Sequence, residues 1–303
     1  MDIVLLFALF ALVGIGANVF SKLCSNTVTH DSTARYSLVL IINSIVACFF
    51  FLCFSGFRIR LNTQTLIFAS VYALVVALSV ISNVIVYRYA SISNVNVISS
   101  ACAMICTAAL GVLFFSEDFN LTSAARIVIM MLAILFVFAD QRAHQKNEAS
   151  APEQGKRGLL ALIALIALIS IAGCANTVVL KLFSDSPTVT DENSFFFFTN
   201  VVLCLGSAIV FLIACLSKKG ELRDSLSLLR PKELFSIAGK TVVSNISSLL
   251  SIFIIARVDM IVFSPISSAI GILVGVIGSM LFRERLGKFS YIAAVASVIA
   301  VVL

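Results

Sequence analysis

Hydrophobic positions along this chain run in blocks instead of alternating with polar ones. Apolar stretches of about 20 residues, each long enough to cross the roughly 30 Å hydrocarbon layer of a bilayer, fall at positions 3–21, 37–57, 66–87, 95–115, 122–139, 159–180, 195–216, 234–255, 261–282 and 287–303. Ten membrane-spanning helices are predicted. The strands of a membrane barrel would alternate lipid-facing and lumen-facing residues over about ten positions. The predicted fold class is therefore an all-α integral membrane bundle. The longest polar stretch, 140–158, carries Pro152 and charges of both signs and reads as a linker. It separates an N-terminal five-helix repeat (1–140) from a C-terminal one (159–303), with residues 141–158 between them.

The halves echo each other. Ile98-Ser99-Ser100-Ala101 leads on to Leu113-Phe114, and Ile266-Ser267-Ser268-Ala269 leads on to Leu281-Phe282, 168 positions later. Gly14-Ile15-Gly16-Ala17-Asn18 with Lys22 is echoed by Gly173-Cys174-Ala175-Asn176 with Lys181, and Asn43 in span two by Asn200 in span seven. Five spans is an odd number, so a second copy enters the membrane in the opposite orientation. Such inverted repeats build many secondary transporters, with the ligand held between them.

Composition sharpens this picture. Hydrophobic residues make up 60% of the chain, charged residues 12%, and mean hydropathy is +1.11. The first span follows Met1-Asp2 without a basic leader, so it is expected to be a retained helix and not a signal peptide. The last run ends at Leu303 with no polar tail, which leaves a trimmed C-terminus open. The eight cysteines form no CxxC pair, and His30 and His144 fall in loops. No disulfide framework, metal site or cofactor is expected. Gly239-Lys240-Thr241 imitates the end of a P-loop without its preceding strand, and Gly14-x-Gly16 lacks the third glycine of a dinucleotide fingerprint. Gly-x-Ser-x-Gly, His-Glu-x-x-His and paired membrane carboxylates are all missing from the sequence. An enzyme is not expected.

Polar side chains inside the spans are the candidates for ligand contact, because an amide or hydroxyl in lipid needs a partner. Asn18, Asn43, Asn83, Asn176, Asn200 and Asn245 qualify, as do Ser100 and Ser268 of the repeated Ser-Ser pairs. Interhelical hydrogen bonding explains each of them equally well without a ligand. Span eight adds a polar stripe in which Lys240, Ser244, Ser247, Ser248 and Ser251 recur at three- and four-residue spacing. Lys240 either snorkels to the interface or faces a solute anion. Glu117, Asp118, Asp140, Asp259 and Glu284 all fall at predicted helix ends, where solvation and helix termination are their expected roles. The Phe195–Phe198 run reads as an interfacial, lipid-facing anchor. Gly271-x-x-x-Gly275 with Gly278 reads as close packing within the fold, or else as a homodimer seam.

Ten spans, a glycine shortly before Asn18 and before Asn176 with Lys22 and Lys181 leaving spans one and six, and an acid closing spans four and nine (Phe115-Ser116-Glu117 and Arg283-Glu284) together resemble the drug/metabolite transporter superfamily, EamA-type branch. The resemblance covers the whole chain. It implies a basket of two inverted five-helix repeats, a central cavity lined by spans one to four and six to nine, and alternating access. The small multidrug relatives depend on a carboxylate inside the first span, and here that span offers only Asp2 at its mouth. Span nine has Pro265 before its Ser-Ser pair where span four has Val97.

The expected function is secondary transport of a small neutral, zwitterionic or anionic metabolite, amino-acid-like first, across the plasma (inner) membrane, with spans three and four rocking with eight and nine. A passive channel or facilitator, or a proton-coupled exporter of drug-like compounds, is the alternative. The metabolite and membrane lipid are the expected partners. Nucleic acid is not, because the net charge of +6 is scattered over loops. Most of the 21 Lys and Arg lie in loops 1-2, 3-4, 5-6, 7-8 and 9-10, which by the positive-inside rule would be cytoplasmic with both termini outside. The resemblance implies the opposite orientation, with both termini inside.

Overall fold

The computed structural model describes residues 3–27, 33–86, 92–145, 156–186, 191–217, 225, 230–281 and 288–302. Among the described residues there are ten helices and no strands: α1 (Ile3–Thr27), α2 (Thr33–Phe54), α3 (Thr63–Val86), α4 (Ile92–Phe115), α5 (Leu121–Gln145), α6 (Lys156–Asp185), α7 (Glu192–Ser217), α8 (Pro231–Ile255), α9 (Met260–Leu281) and α10 (Lys288–Val302). Each apolar block of the sequence became one helix. Four helical stretches are long and apolar enough to cross a membrane: α2, Ala167–Asp185 within α6, α7 and α8. On α7, Leu205, Ile209, Leu212, Ile213 and Leu216 recur at helical spacing and all are exposed. An uncovered stripe of that size is costly in water and ordinary against acyl chains.

Side chains of the preceding residue start several helices. Asn62 Oδ1 accepts from the Gln64 amide, Asn120 Oδ1 from Ser123 and Asp191 Oδ1 from Asn193, so α3, α5 and α7 each begin at an N-cap that satisfies orphan donors. The chain leaving α2 turns through two left-handed residues, Gly56 and Phe57.

The chain forms two compact units, Met1–Leu74 with Leu182–Phe253, and Val75–Lys181 with Ile254–Leu303. Both draw on both sequence halves. α8 and α9, expected to move together, belong to different units.

In the first unit α2 and α7 lie antiparallel. The Arg60 amide donates to Ser194 Oγ at the start of α7, Phe51 stacks on Phe196 with centroids 5.2 Å apart, and the Cys48 thiol contacts the Phe197 carbonyl. Phe195 and Phe196 are buried, with Phe195 against Phe183 at 4.1 Å and against Tyr72 at 5.2 Å. This corrects the sequence expectation: the head of the Phe195–Phe198 run is core, because α2, α3 and the end of α6 supply rings that cover it.

In the second unit α9 runs antiparallel to α4, with its start beside Gly111 and Ser264 Oγ donating to the Met104 carbonyl. α5 and α10 pair in the same sense: Phe136 stacks on Phe289, while Met130 packs in one core with Ala300, Met104 and Ala269. Pro265 sits inside α9 and removes one helical N–H. Gly271 is exposed, and a methyl placed there would meet nothing within 4 Å, so this glycine does not serve packing inside the chain.

Candidate functional site

α8 carries the densest set of polar side chains, and its neighbours fix which way each points. On one side α1 packs through Gly16 against Val243 and through Phe20 over Gly239, whose missing Cβ is what lets the ring approach. On the other side α2 packs through Val39 against Ile237 and through Asn43 against Thr241. At about 100° per residue, Lys240, Ser244, Ser247 and Ser251 share an arc of about 60° between these two contact directions. The exposed Phe235 and Phe253 sit about 140° from Lys240. The polar arc therefore faces away from the lipid-like surface of α8.

The serines divide by bonding. Ser248 and Ser251 donate to the carbonyls of Ser244 and Ser247 one turn back, at 3.1 and 3.0 Å, so their own helix satisfies them. Lys240 is half-buried, and among the described residues its ammonium has no hydrogen-bond or ion-pair partner.

The amides divide in the same way. The single Thr241 hydroxyl proton is shared between Asn43 Oδ1, which joins α2 to α8, and the Ile237 carbonyl of its own helix at 2.8 Å. Asn200 Nδ2 donates to the Phe196 carbonyl of its own helix at 2.8 Å. Asn245 Nδ2 in the first unit and Asn176 Oδ1 in the second are buried without partners among the described residues. Leaving such groups unmade costs about 1–3 kcal/mol each. Lys240 and Asn245 point about 140° apart on α8 and do not form one cluster. Ser244 and Ser268 are half-buried, and the side chains of Asn18, Asn83 and Ser100 lie outside the described residues, as does that of Glu284.

Two further charges shape the second unit. α4 ends at Phe115, Ser116 adopts a left-handed φ of 52°, and the Glu117 amide returns to the Gly111 carbonyl at 3.2 Å. That turn aims the Glu117 carboxylate at the first amides of α9. Its Oε1 accepts from Met260 at 2.7 Å and its Oε2 from Ile261 at 2.9 Å, while the Asp259 carbonyl takes Val262 and Phe263. The Met260, Ile261 and Val262 amides, which have no partner four residues back within α9, are thereby paired. Glu117 thus does more than terminate α4. Lys181 Nζ donates to the Ile255 carbonyl at 3.3 Å, placing a cation at the carboxyl end of α8 where the helix dipole favours one. The α8–α9 corner is held at both ends by charges of the matching sign.

Arg126 is a second in-span cation that the sequence reading passed over. It lies in the second turn of α5, half-buried, with Nε enclosed and unpartnered among the described residues. Its position inside the 122–139 apolar block was the available signal.

No protein-family model matches the chain, and no curated protein does. Solved structures do match: 28 chains do so, among them one described only as "Crystal structure of protein", which is 12% identical with a TM-score of 0.60 over 96% of both chains. At that identity the likeness is one of fold.

Proposed function

We propose that this protein is a secondary transporter that carries a small neutral, zwitterionic or anionic metabolite, amino-acid-like first, across the plasma membrane by alternating access. The observation that carries this reading is the pairing of counterpart helices: α2 with α7, α4 with α9 and α5 with α10 each lie antiparallel inside one compact unit. Two inverted copies of a five-helix repeat would produce that arrangement. The helix starts agree, since α4 begins at Ile92 and α9 at Met260, 168 positions apart like the Ile-Ser-Ser-Ala motif. We read all ten helices as spans and the chain as a relative of the drug/metabolite transporter superfamily, with the two compact units as the moving bodies. Lys240 on α8, without a partner among the described residues, supplies a contact a solute would complete.

Purified protein in liposomes tests this. Labelled amino acids should enter saturably and faster when the same unlabelled solute is loaded inside. Flux linear in concentration and indifferent to internal solute would favour the channel alternative instead.

A further inference from the structure

The Lys240 arc of α8 asks for something the described residues do not provide. An ammonium within a membrane helix is normally neutralised by a carboxylate, by backbone carbonyls, or by reaching the headgroups. Lys240 lies nine residues from Pro231, about 13 Å along the helix. The charged residue on the same face is Glu233, two turns back and about 10 Å along the axis, too far for an ion pair. Lys240 also lies about 140° around α8 from the exposed Phe235 and Phe253, on the side between the residues that meet α1 and those that meet α2. Ser244, one turn on, makes no side-chain hydrogen bond among the described residues, whereas Ser248 and Ser251 donate to their own helix.

We infer that Lys240 and Ser244 form an oxyanion subsite, which receives the carboxylate or phosphate of a transported solute on the side of α8 between its α1 and α2 contacts. An oxyanion suits both groups, since it accepts the ammonium and a hydroxyl together and removes the charge imbalance. This inference rests on the carrier reading and narrows it to solutes bearing a negative group. The competing source of the same chemistry is the phosphate of an anionic lipid.

The test uses the full chain with Ser244→Cys, in phosphatidylcholine vesicles. It compares modification of residue 244 by an anionic and by a cationic methanethiosulfonate, read by peptide mass spectrometry. Both reagents should react, with the anionic one favoured. Lys240→Met should cut that preference about tenfold, the lower end of what local fields do to ion concentration, and Lys240→Arg should keep it. A preference unchanged by Lys240→Met overturns the subsite. So does a residue 244 inert to both water-soluble reagents, whether or not a membrane-permeant maleimide labels it. Adding phosphatidylglycerol should leave the preference intact; its loss would assign Lys240 to lipid and overturn the solute site. Counterflow measured with the unsubstituted chain, in vesicles of the same lipid, separates the two claims. Preference without counterflow retires the carrier and keeps the subsite, and counterflow without preference does the reverse.

Discussion

The Glu117 carboxylate accepts the Met260 amide at 2.7 Å, across 143 residues of sequence, and its second oxygen takes Ile261. A carboxylate at the end of α4 thus serves as the N-cap of α9, favoured both by charge-assisted hydrogen bonds and by the helix dipole. Glu117→Gln keeps the shape, loses the charge and turns one acceptor into a donor facing a donor. We expect a loss of about 1.5–3 kcal/mol, read as a lower midpoint in thermal unfolding of detergent-purified protein. An unchanged midpoint would mean the cap contributes nothing to stability.

Gly111 tests the same contact from the other side. A methyl there would come within 2.5 Å of Glu117 Oε2. Gly111→Ala should push the carboxylate off Ile261 and destabilise comparably, and the double variant with Glu117→Gln should lose clearly less than the sum of the two. Full additivity would separate the glycine from the cap.

The sequence echo extends this prediction to Glu284 in the C-terminal half. Glu284 comes two residues after Leu281-Phe282, and Glu117 three after Leu113-Phe114. If the halves are copies, Glu284→Gln should lower the unfolding midpoint about as much as Glu117→Gln. A silent Glu284→Gln beside a costly Glu117→Gln would break the equivalence.

The Asn43–Thr241 bond joins α2 to α8. Thr241→Val and Asn43→Leu should each destabilise, with a coupling of about 0.6 kcal/mol between them and at most about 1.7, the average and maximum for interhelical bonds in a membrane bundle. Double-mutant-cycle unfolding measures it, and a coupling near zero would show that the two side chains act independently.

Phe195 is fully buried among Phe183, Tyr72 and Phe196. Phe195→Ala should cost about 3–5 kcal/mol, whereas Leu216→Ala on the exposed stripe should cost under 1 kcal/mol. Thermal unfolding of the two variants side by side checks the contrast.

Helix positions were legible because block length alone carries them: the 66–87 run became α3 at 63–86, and the 261–282 run became α9 at 260–281. What each helix faces was not. Phe195 and Leu216 read alike in sequence, since an apolar side chain suits a protein core and a lipid tail equally. Glu117 could be placed at a helix end, but its partner Met260 is distant in the chain and bonds through backbone, which leaves no trace in side-chain pattern. Asn200 and Ser251 looked like free polar groups, and their i−4 bonds to their own helices only the folded backbone shows. The charge on Lys240 was legible, and its direction became so only once Gly239 and Thr241 were seen packed against α1 and α2.

The opposed insertion of the two halves is tested most directly by their counterpart loops, 2-3 and 7-8. Single cysteines at Ile59 and Lys219, probed with a membrane-impermeant maleimide on intact and permeabilised cells and read at each residue by mass spectrometry, should react from opposite faces of the membrane. Labelling of both from the same face would contradict the inverted repeat and the transport reading built on it.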